Sequence, residues 1–354
     1  MSSSWAFGYL DEDTRQACIA HAQSLLSTSK IEPLPQESQG GCSFTLRILS
    51  TDLESQPRQL LQFRPTKYSL AVSITDDAKL IYGEYAPFVR CLGHLLLGDL
   101  GRIDVFLIDI IEGISYADVR PNFRHLDNSL VSRQMRYITG FADFLARGWR
   151  HGKGAEQLMS CNGKVGRQLK RKIERLTLEL PTYELRSIAC RILEHLPMLD
   201  KLPVVLCHGD MIPSNIIIHD STSSIQGFLD WAEAEYLPFG IPLYGLEHFL
   251  GYLSASRGSS TFTHYSCEAE LRSRFWKELE DRIPELIGSI ILEEATLLAR
   301  DVGVLLWYGY AWDDGAIDRV VNARDDPSEV MYLETFLGAS REETSTSSPT
   351  LCKI

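Results

Sequence analysis

Residues 204–219 read VVLCHGDMIPSNIIIH, and residues 225–231 read IQGFLDW. The first run is an apolar approach to a short polar loop that carries Asp210 and, five residues later, Asn215. The polar turn between the two runs predicts a β-hairpin, which returns the chain so that Asp230 reaches the same place. The sequence therefore predicts two carboxylates and one amide gathered at the end of a strand.

These three side chains are of the types that phosphoryl transfer requires. One carboxylate must orient the attacking hydroxyl and accept its proton, and hard oxygen ligands must hold the Mg²⁺ that neutralises the phosphates. The amide oxygen of Asn215 and the carboxylate of Asp230 are such ligands. A buried Asp–Asn pair in a turn is ordinarily a satisfied polar network. The order and spacing of all three, with apolar strands between them, favour the chemical interpretation.

The pattern H-G-D-x-x-x-x-N, followed by a hairpin and D-W, resembles the aminoglycoside phosphotransferase and choline kinase branch of the kinase-like fold. The resemblance covers about residues 10–335 and implies an α+β, two-lobed protein kinase-like fold, with a small antiparallel-sheet N-lobe and a larger, mainly helical C-lobe. It implies that Asp210 is the catalytic base and that Asn215 and Asp230 bind Mg²⁺. His208 would then be structural support for the loop. The co-substrate would be ATP or GTP, and the acceptor a hydroxyl of an unidentified small molecule.

The hydrophobic pattern divides the chain near residue 112, where strand-like runs give way to helical ones. Residues 1–111 are expected to form the nucleotide-binding lobe with a leading helix, and residues 112–338 the helical lobe. Residues 339–354 have almost nothing apolar to bury and are expected to be disordered. For the first lobe the pattern predicts a helix over 11–26, strands over 43–49 and 59–64, a helix over 77–97 broken at Pro87, and a strand over 105–111.

A glycine pair precedes the strand expected at 43–49. Gly40, Gly41 and Ser43 lie where the resemblance places a loop over the phosphates, and glycines permit close backbone approach to phosphate. The stretch does not match G-x-G-x-x-G, and an ordinary turn before a strand is the other interpretation of a Gly-Gly pair.

The expected nucleotide-binding strand carries Arg64 where the resemblance calls for a lysine, with Lys67 as a less favoured substitute. A guanidinium binds phosphate but is not equivalent to lysine. Glu84 is the predicted acidic partner of Arg64. Backbone groups at Asp109 and Ile111 are predicted to bond adenine.

The composition excludes several classes of protein. The net charge is −12, and the one short basic stretch, residues 170–172, lies in a helical pattern and is interpreted as a solvated face, so binding of nucleic acid is not expected. No apolar run is long enough to span a bilayer, so no membrane association is expected. The first residues lack a secretory pattern and the cysteines are scattered, so a cytoplasmic location is expected.

The sequence leaves the oligomeric state open. It also leaves the acceptor open, although acids in the second lobe are candidates for attracting a cationic amine: Glu233, Glu235, Glu247, Asp313 and Asp314.

Two alternatives remain open. A kinase-like binding module with weak or no catalysis is favoured by Arg64, by the atypical glycine turn and by the lack of an acid from Pro238 until Glu247. A protein kinase is disfavoured because H-G-D replaces H-R-D and no A-P-E segment follows Asp230. The sequence contains no P-loop, no H-E-x-x-H and no G-x-S-x-G pattern.

Overall fold

An antiparallel sheet forms from the apolar runs of the first 110 residues. The computed structural model describes residues 10–26, 30–49, 58–98, 101–154, 164–256, 259–313 and 316–346. The sheet has five strands in the order β1-β2-β3-β5-β4. Its strands are β1 (Ile31–Pro33), β2 (Phe44–Ile48), β3 (Gln59–Pro65), β4 (Val89–Leu97) and β5 (Gly101–Asp109). Two helices accompany it, α1 (Glu12–Leu26) and α2 (Val72–Tyr82).

Alternating side chains of the central strands form the core of this sheet. Leu61 and Phe63 on β3 and Val105 on β5 are fully buried, as the period of two for a half-buried strand requires. Cys18 and Ala22 of α1 belong to the same cluster. The side chain of Asp11 accepts the N–H of Thr14 at 2.8 Å, which caps the start of α1. The helix and strands predicted for 11–26, 43–49 and 59–64 are present within a residue or two.

The helix predicted over 77–97 is wrong in its second half. Helix α2 ends at Tyr82, and Gly83 adopts a left-handed φ of 60° that stops it. Residues 89–97 then form β4, which pairs with β5 from Val89↔Ile108 to Leu97↔Gly101, with an irregularity between Cys91 and Gly93. Pairing with a strand that follows in sequence overrides the local helical pattern. The strand predicted at 105–111 begins earlier, at Gly101, for the same reason.

The remainder of the chain is mostly helical. Asp127 caps α4 through the N–H of Leu130, and the inward face of that helix buries Ile138, Phe141 and Leu145. The helices are α3 (Tyr116–Val119), α4 (Asn128–Arg150), α5 (Leu169–Glu179), α6 (Tyr183–His195), α7 (Glu247–Leu250), α8 (Glu268–Arg282), α9 (Ile290–Tyr308) and α10 (Pro327–Thr346). The strands are β6 (Ile114–Ser115), β7 (Val204–Cys207), β8 (Ile216–Ile218), β9 (Ile225–Phe228), β10 (Glu235–Pro238), β11 (Gly251–Ser256), β12 (Ser259–His264), β13 (Tyr310–Asp313) and β14 (Ala316–Val320).

The chain divides into two compact units. The first unit comprises Met1–Gly113 and Gln226–Ala232, and the second comprises Ile114–Ile225 and Glu233–Ile354. The predicted division at 111/112 therefore omits a short returning segment. That segment fits the first unit through Gly227, where a Cβ atom would lie 2.5 Å from Cδ1 of Ile111 and 2.9 Å from the carbonyl oxygen of Tyr85.

The C-terminal helix extends further than the sequence pattern indicates. Helix α10 runs to Thr346, although disorder is expected from residue 339. The intervening residues include Ala339, Arg341, Glu342 and Glu343, all of which favour helix and so continue one already started. Residues 347–354 lie outside the described residues. Among the described helices, none combines the length and apolarity that crossing a membrane requires.

Candidate active site

Strand β7 leads into the HGD loop, which comprises residues 208–215. All four residues of β7 are buried, so the strand fixes where the loop begins. His208 is fully buried, and its Nδ1 accepts the backbone N–H of Asp210 at 3.1 Å. Gly209 has a φ of 83°, and a Cβ atom there would lie 2.2 Å from the carbonyl oxygen of Glu233. Both the left-handed conformation and the close approach therefore require glycine.

Asp210, the predicted base, and Asn215, a predicted metal ligand, are in direct contact within this loop. The amide nitrogen of Asn215 donates to Asp210 Oδ2 at 2.7 Å and to the Asp210 carbonyl at 3.1 Å. The loop closes on itself because the N–H of Ile212 donates to the same carbonyl and the N–H of Asn215 donates to Ile212. The Asn215 nitrogen is thus committed to Asp210. Within the described residues no hydrogen bond uses the Asn215 Oδ1 oxygen, which is the atom a hard cation would need.

A tyrosine that the sequence pattern did not identify fixes the residue after Asp210. The hydroxyl of Tyr244 accepts the N–H of Met211 at 2.8 Å, and both residues are buried. Burial, with the nearby charge of Asp210, raises the pKa of Tyr244 well above its usual value, so the hydroxyl stays protonated. Tyr244 lies 34 positions after Asp210 in a segment without a recognisable motif, so no sequence signal pointed to it.

Arg64 and Asp230 form an ion pair in the first unit. The Arg64 Nη2 atom lies 3.0 Å from Asp230 Oδ1, and its Nε and Nη1 donate to Gln62 Oε1 at 2.7 Å and to the Tyr68 carbonyl at 3.2 Å. The Arg64 side chain is 5% exposed and that of Asp230 is 45% exposed. Glu84 is exposed on the turn after α2 and is not a partner of Arg64, which corrects the predicted pairing. The acidic partner comes instead from the D-W motif, 166 residues away.

Asp230 itself is held in an unusual backbone conformation. Its φ of 59° is left-handed, which is rare for a residue other than glycine and costs of order 1–3 kcal/mol. The neighbouring Trp231 is buried and donates its indole N–H to the Phe228 carbonyl at 2.9 Å. Its ring packs against that of Tyr82, with the ring centroids 5.2 Å apart. The Trp231 contacts hold this backbone conformation in place, and the bond from Arg64 holds the Asp230 carboxylate.

The glycine turn before β2 is pinned by a side chain. Gln39 donates to the carbonyls of Leu34 and Thr45 at 3.0 Å and accepts the N–H of Thr45 at 2.8 Å. A Cβ atom at Gly41 would meet nothing within 4 Å, so open space lies above that residue. Ser43 is buried and donates its N–H back to Gly40 at 3.5 Å. The Gly40–Gly41 backbone is therefore the accessible part of this turn, and the Ser43 side chain is not.

The other residues predicted to contact the nucleotide differ in whether their polar groups already have a partner within the chain. The N–H of Asp109 donates to the Phe88 carbonyl at 3.0 Å, so it is not available to adenine as predicted. Ile111 follows the end of β5, and within the described residues its backbone makes no hydrogen bond. Lys67 is exposed, and its ammonium lies 4.6 Å from the ring centroid of Tyr68. Of the two predicted adenine contacts, Ile111 thus keeps a backbone N–H that is unbonded within the described part of the chain, whereas Asp109 does not.

The acids proposed to attract a cationic acceptor are largely neutralised. Both carboxylate oxygens of Glu233 accept Lys164 Nζ, at 2.7 and 2.6 Å. Glu247 is fully buried and is bound by Arg272 at 2.9 Å and by Arg300. Asp314 lies outside the described residues, and nothing is described for the Asp313 side chain. Within the described residues, no group of three or more His, Cys, Asp or Glu is placed to hold a metal ion.

Comparisons with known proteins found one matching family model and several similar solved structures. The model of the phosphotransferase enzyme family matches residues 82–244, which include β7, the HGD loop and Asp230. An ethanolamine kinase from Plasmodium vivax has a similar structure (TM-score 0.53, 13% identity, covering 94% of this chain and 89% of that one). A protein from Ralstonia eutropha described as a putative aminoglycoside phosphotransferase is also similar (TM-score 0.52, 13% identity, covering 93% and 98%).

These findings confirm the resemblance and the kinase-like α+β fold, and they support a small-molecule phosphotransferase enzyme. At this level of identity the structural likeness concerns the fold. No curated protein sequence matches the chain.

Proposed function

Starting from the match of residues 82–244 to the phosphotransferase enzyme family, we propose that the protein transfers the γ-phosphate of ATP or GTP to a hydroxyl of a small molecule. Asp210 is the base that orients this hydroxyl and accepts its proton. The contact that supports this role most directly is the 2.7 Å bond from Asn215 to Asp210 Oδ2, because it fixes the carboxylate within the HGD loop. His208 and Tyr244 are positioning residues, since each holds a backbone N–H next to that carboxylate.

The proposed Mg²⁺ ligands, Asn215 and Asp230, each carry the hard oxygen atoms that this ion prefers. Mg²⁺ keeps several of its waters and takes one or two protein oxygens together with substrate phosphates. Asn215 offers Oδ1, and Asp230 offers Oδ2, since its other oxygen is bonded to Arg64. When bound, the ion would neutralise charge on the phosphates. Within its own unit, each side chain is oriented by one hydrogen bond, Asn215 by its contact with Asp210 and Asp230 by its contact with Arg64.

The nucleotide contacts are proposed from the first unit. The backbone at Gly40–Gly41 is accessible for a phosphate, and Ile111 offers backbone groups for the base. Arg64 is a cation beside Asp230, where it would act on phosphate and metal ligand together. Ser43, Glu84 and the Asp109 N–H are not assigned such roles, because the first is buried, the second is not paired with Arg64 and the third is already bonded.

A coupled ADP-release screen over a library of alcohol acceptors tests this function. Purified wild-type protein with Mg-ATP or Mg-GTP should release nucleoside diphosphate in the presence of at least one acceptor, and Asp210→Asn serves as the blank. Stoichiometric phosphorylated acceptor, detected by mass spectrometry, separates transfer from simple hydrolysis. Release that is equal in wild type and Asp210→Asn would contradict the proposed function.

The second candidate is a kinase-like module that binds nucleotide without transferring phosphate. It is favoured by Arg64, because each of its three guanidinium nitrogens is bonded within the chain, unlike the nitrogen of a freely extended lysine. A thermal-shift titration with Mg-ATP distinguishes the two, because a ligand stabilises only the state that it binds. Stabilisation without release of ADP across the whole acceptor library would favour this module.

A further inference from the structure

A small cavity lies beside the HGD loop within the second unit. Its volume is about 100 Å³, and Gly209 and Tyr244 are among the residues that line it. Gly209 directly precedes Asp210, and the Tyr244 hydroxyl holds the N–H of Met211, which directly follows Asp210. The residue before the proposed base therefore lines the cavity, and the residue after it is bonded to a tyrosine that lines the cavity. A ligand within it would lie beside Gly209, the residue that precedes Asp210.

The cavity wall is mainly aromatic and aliphatic. The rings of Tyr244 and Trp307 stack with centroids 5.4 Å apart and planes 11° apart, so part of each ring face is already covered. Leu237, Ile241 and Leu306 complete the apolar wall. The Tyr244 hydroxyl is committed to the HGD loop. The wall therefore offers a ligand apolar surface and few polar groups.

Two acids also line the cavity, and both already have bonding partners within the chain. Lys164 bonds both oxygens of Glu233. The carboxylate of Glu235 accepts the backbone N–H of Val165 at 2.9 Å and that of Gly166 at 3.2 Å. Burial raises the pKa of Glu235 against the effect of these two donors, which further weakens it as a counter-charge. A cationic ligand would have to displace one of these internal partners.

An aromatic ring in the cavity wall could also attract a cation, but a lysine of the chain already lies over it. An aromatic face recognises an ammonium group within about 6 Å of its centroid. The ammonium of Lys172 lies 4.4 Å from the ring centroid of Tyr310, which also lines the cavity. The ring hydroxyl donates to the Lys172 carbonyl at 2.8 Å. The chain's own lysines thus take the positions at Glu233 and Tyr310 that an acceptor's ammonium would use.

The size of the cavity limits the acceptor further. An apolar cavity of about 150 Å³ holds a benzene molecule, so about 100 Å³ suits the apolar end of a compact alcohol. We propose that this cavity binds the body of the acceptor and that the acceptor is a small uncharged alcohol with a compact apolar end, its hydroxyl directed to Asp210. This inference rests on the proposed phosphotransferase function for the direction of the hydroxyl. The choice of an uncharged ligand rests on the cavity alone.

A pair of ligands of the same shape tests the choice. 3,3-Dimethyl-1-butanol is the carbon counterpart of choline, with the same branched end and the same hydroxyl arm but no charge. Calorimetric titration of the whole 354-residue chain with each compound, in the presence of Mg-ADP, measures binding independently of turnover. We expect the uncharged compound to bind at least about tenfold more tightly, because a cation would enter without a free counter-charge. In the ADP-release assay, kcat/KM should favour the same compound.

Two variants connect the preference to the cavity. Trp307→Leu removes one ring of the wall and should weaken binding of 3,3-dimethyl-1-butanol by about tenfold. Trp276→Leu is the matched control, since this half-buried tryptophan on α8 lies outside the cavity wall and its loss should leave binding unchanged. Lys164→Met frees the carboxylate of Glu233 and should shift the preference toward choline by about tenfold.

The outcomes separate this inference from the function on which it rests. Tighter binding of 3,3-dimethyl-1-butanol that depends on Trp307 supports the cavity assignment, even if no phosphate is transferred. Equal or tighter binding of choline by the wild type overturns it, as does the absence of binding by either compound. Turnover of a polycationic sugar with no measurable turnover of the uncharged alcohol would overturn the inference and leave the phosphotransferase function standing.

Discussion

Replacing Arg64 with lysine tests whether the guanidinium of Arg64 holds Asp230 of the D-W motif in place. The guanidinium makes three hydrogen bonds in three directions, to Gln62 Oε1, to the Tyr68 carbonyl and to Asp230 Oδ1. Lysine keeps the charge but has a single nitrogen, which cannot satisfy three acceptors placed around a planar fork. We therefore expect Arg64→Lys to lose two of the three bonds, although lysine is the residue that the family resemblance calls for.

The magnitude follows from the burial of each partner. A hydrogen bond that involves a charged group contributes about 1.5–3 kcal/mol, so two lost bonds amount to about 3–6 kcal/mol. The side chain of Asp230 is 45% exposed, and water there replaces part of the lost interaction. The lower end of that range therefore applies, and we expect a loss of about 3 kcal/mol in the free energy of unfolding. If the bond to Asp230 is lost, Mg-ADP binding should weaken by about ten- to hundredfold.

The assay combines urea unfolding, followed by circular dichroism, with calorimetric titration of Mg-ADP. Arg102→Lys is the matched control, because Arg102 lies on β5 of the same sheet and bonds Asp104 at 2.7 Å, but its side chain is 55% exposed. Its replacement should change stability by less than about 1 kcal/mol. If Arg64→Lys unfolds and binds Mg-ADP like the wild type, the guanidinium contacts do not hold Asp230, and a bare positive charge is sufficient at that position.

Further outcomes follow from contacts in the second unit. Tyr244→Phe leaves the buried N–H of Met211 without its partner and should cost about 1–3 kcal/mol in urea unfolding and lower kcat in the ADP-release assay; unchanged kcat would show that this contact does not position the loop. Glu247→Gln breaks a buried ion cluster and should cost about 3–5 kcal/mol. Burial opposes ionisation of Glu247, but its two arginine partners outweigh the burial and hold the pKa of Glu247 well below its ordinary value. The stability that Glu247 contributes is therefore present above its unfolded pKa and is lost as pH falls through its folded pKa. Acid unfolding of Glu247→Gln that matches that of the wild type would contradict this expectation. Gly209→Ala places a Cβ atom 2.2 Å from the carbonyl of Glu233 and should reduce ADP release to the level of the blank; wild-type release would show that the loop tolerates a different conformation.

The HGD loop could be predicted from sequence because its determinants are local. An apolar strand, a glycine that permits a left-handed turn and an asparagine five residues after the aspartate are read directly from consecutive residues. Asn215 accordingly bonds Asp210 within one short loop. The sheet strands at 43–49 and 59–64 could be predicted for a similar reason, since each shows its own pattern of apolar residues.

What could not be predicted depends on partners distant in sequence. Strand β4 is fixed by its pairing with β5, and the pattern of residues 89–97 alone favoured a helix. The partner of Arg64 is 166 residues away, so the nearby Glu84 was the natural but wrong choice. Tyr244 carries no motif and is recognised only by the 2.8 Å contact of its hydroxyl with Met211. Tertiary contacts decide these features, and a single sequence does not encode them in any local pattern.

Transfer of labelled γ-phosphate by Asp210→Asn tests the central claim most directly. With an acceptor found in the wild-type screen, the variant should bind Mg-ATP about as tightly as the wild type but transfer phosphate at least about a hundredfold more slowly, because the base is lost while the fold is kept. Asp220→Asn, in the exposed turn between β8 and β9, is the matched control and should transfer at the wild-type rate. Transfer by Asp210→Asn at the wild-type rate, with Mg-ATP binding intact, would contradict the assignment of Asp210 as the base.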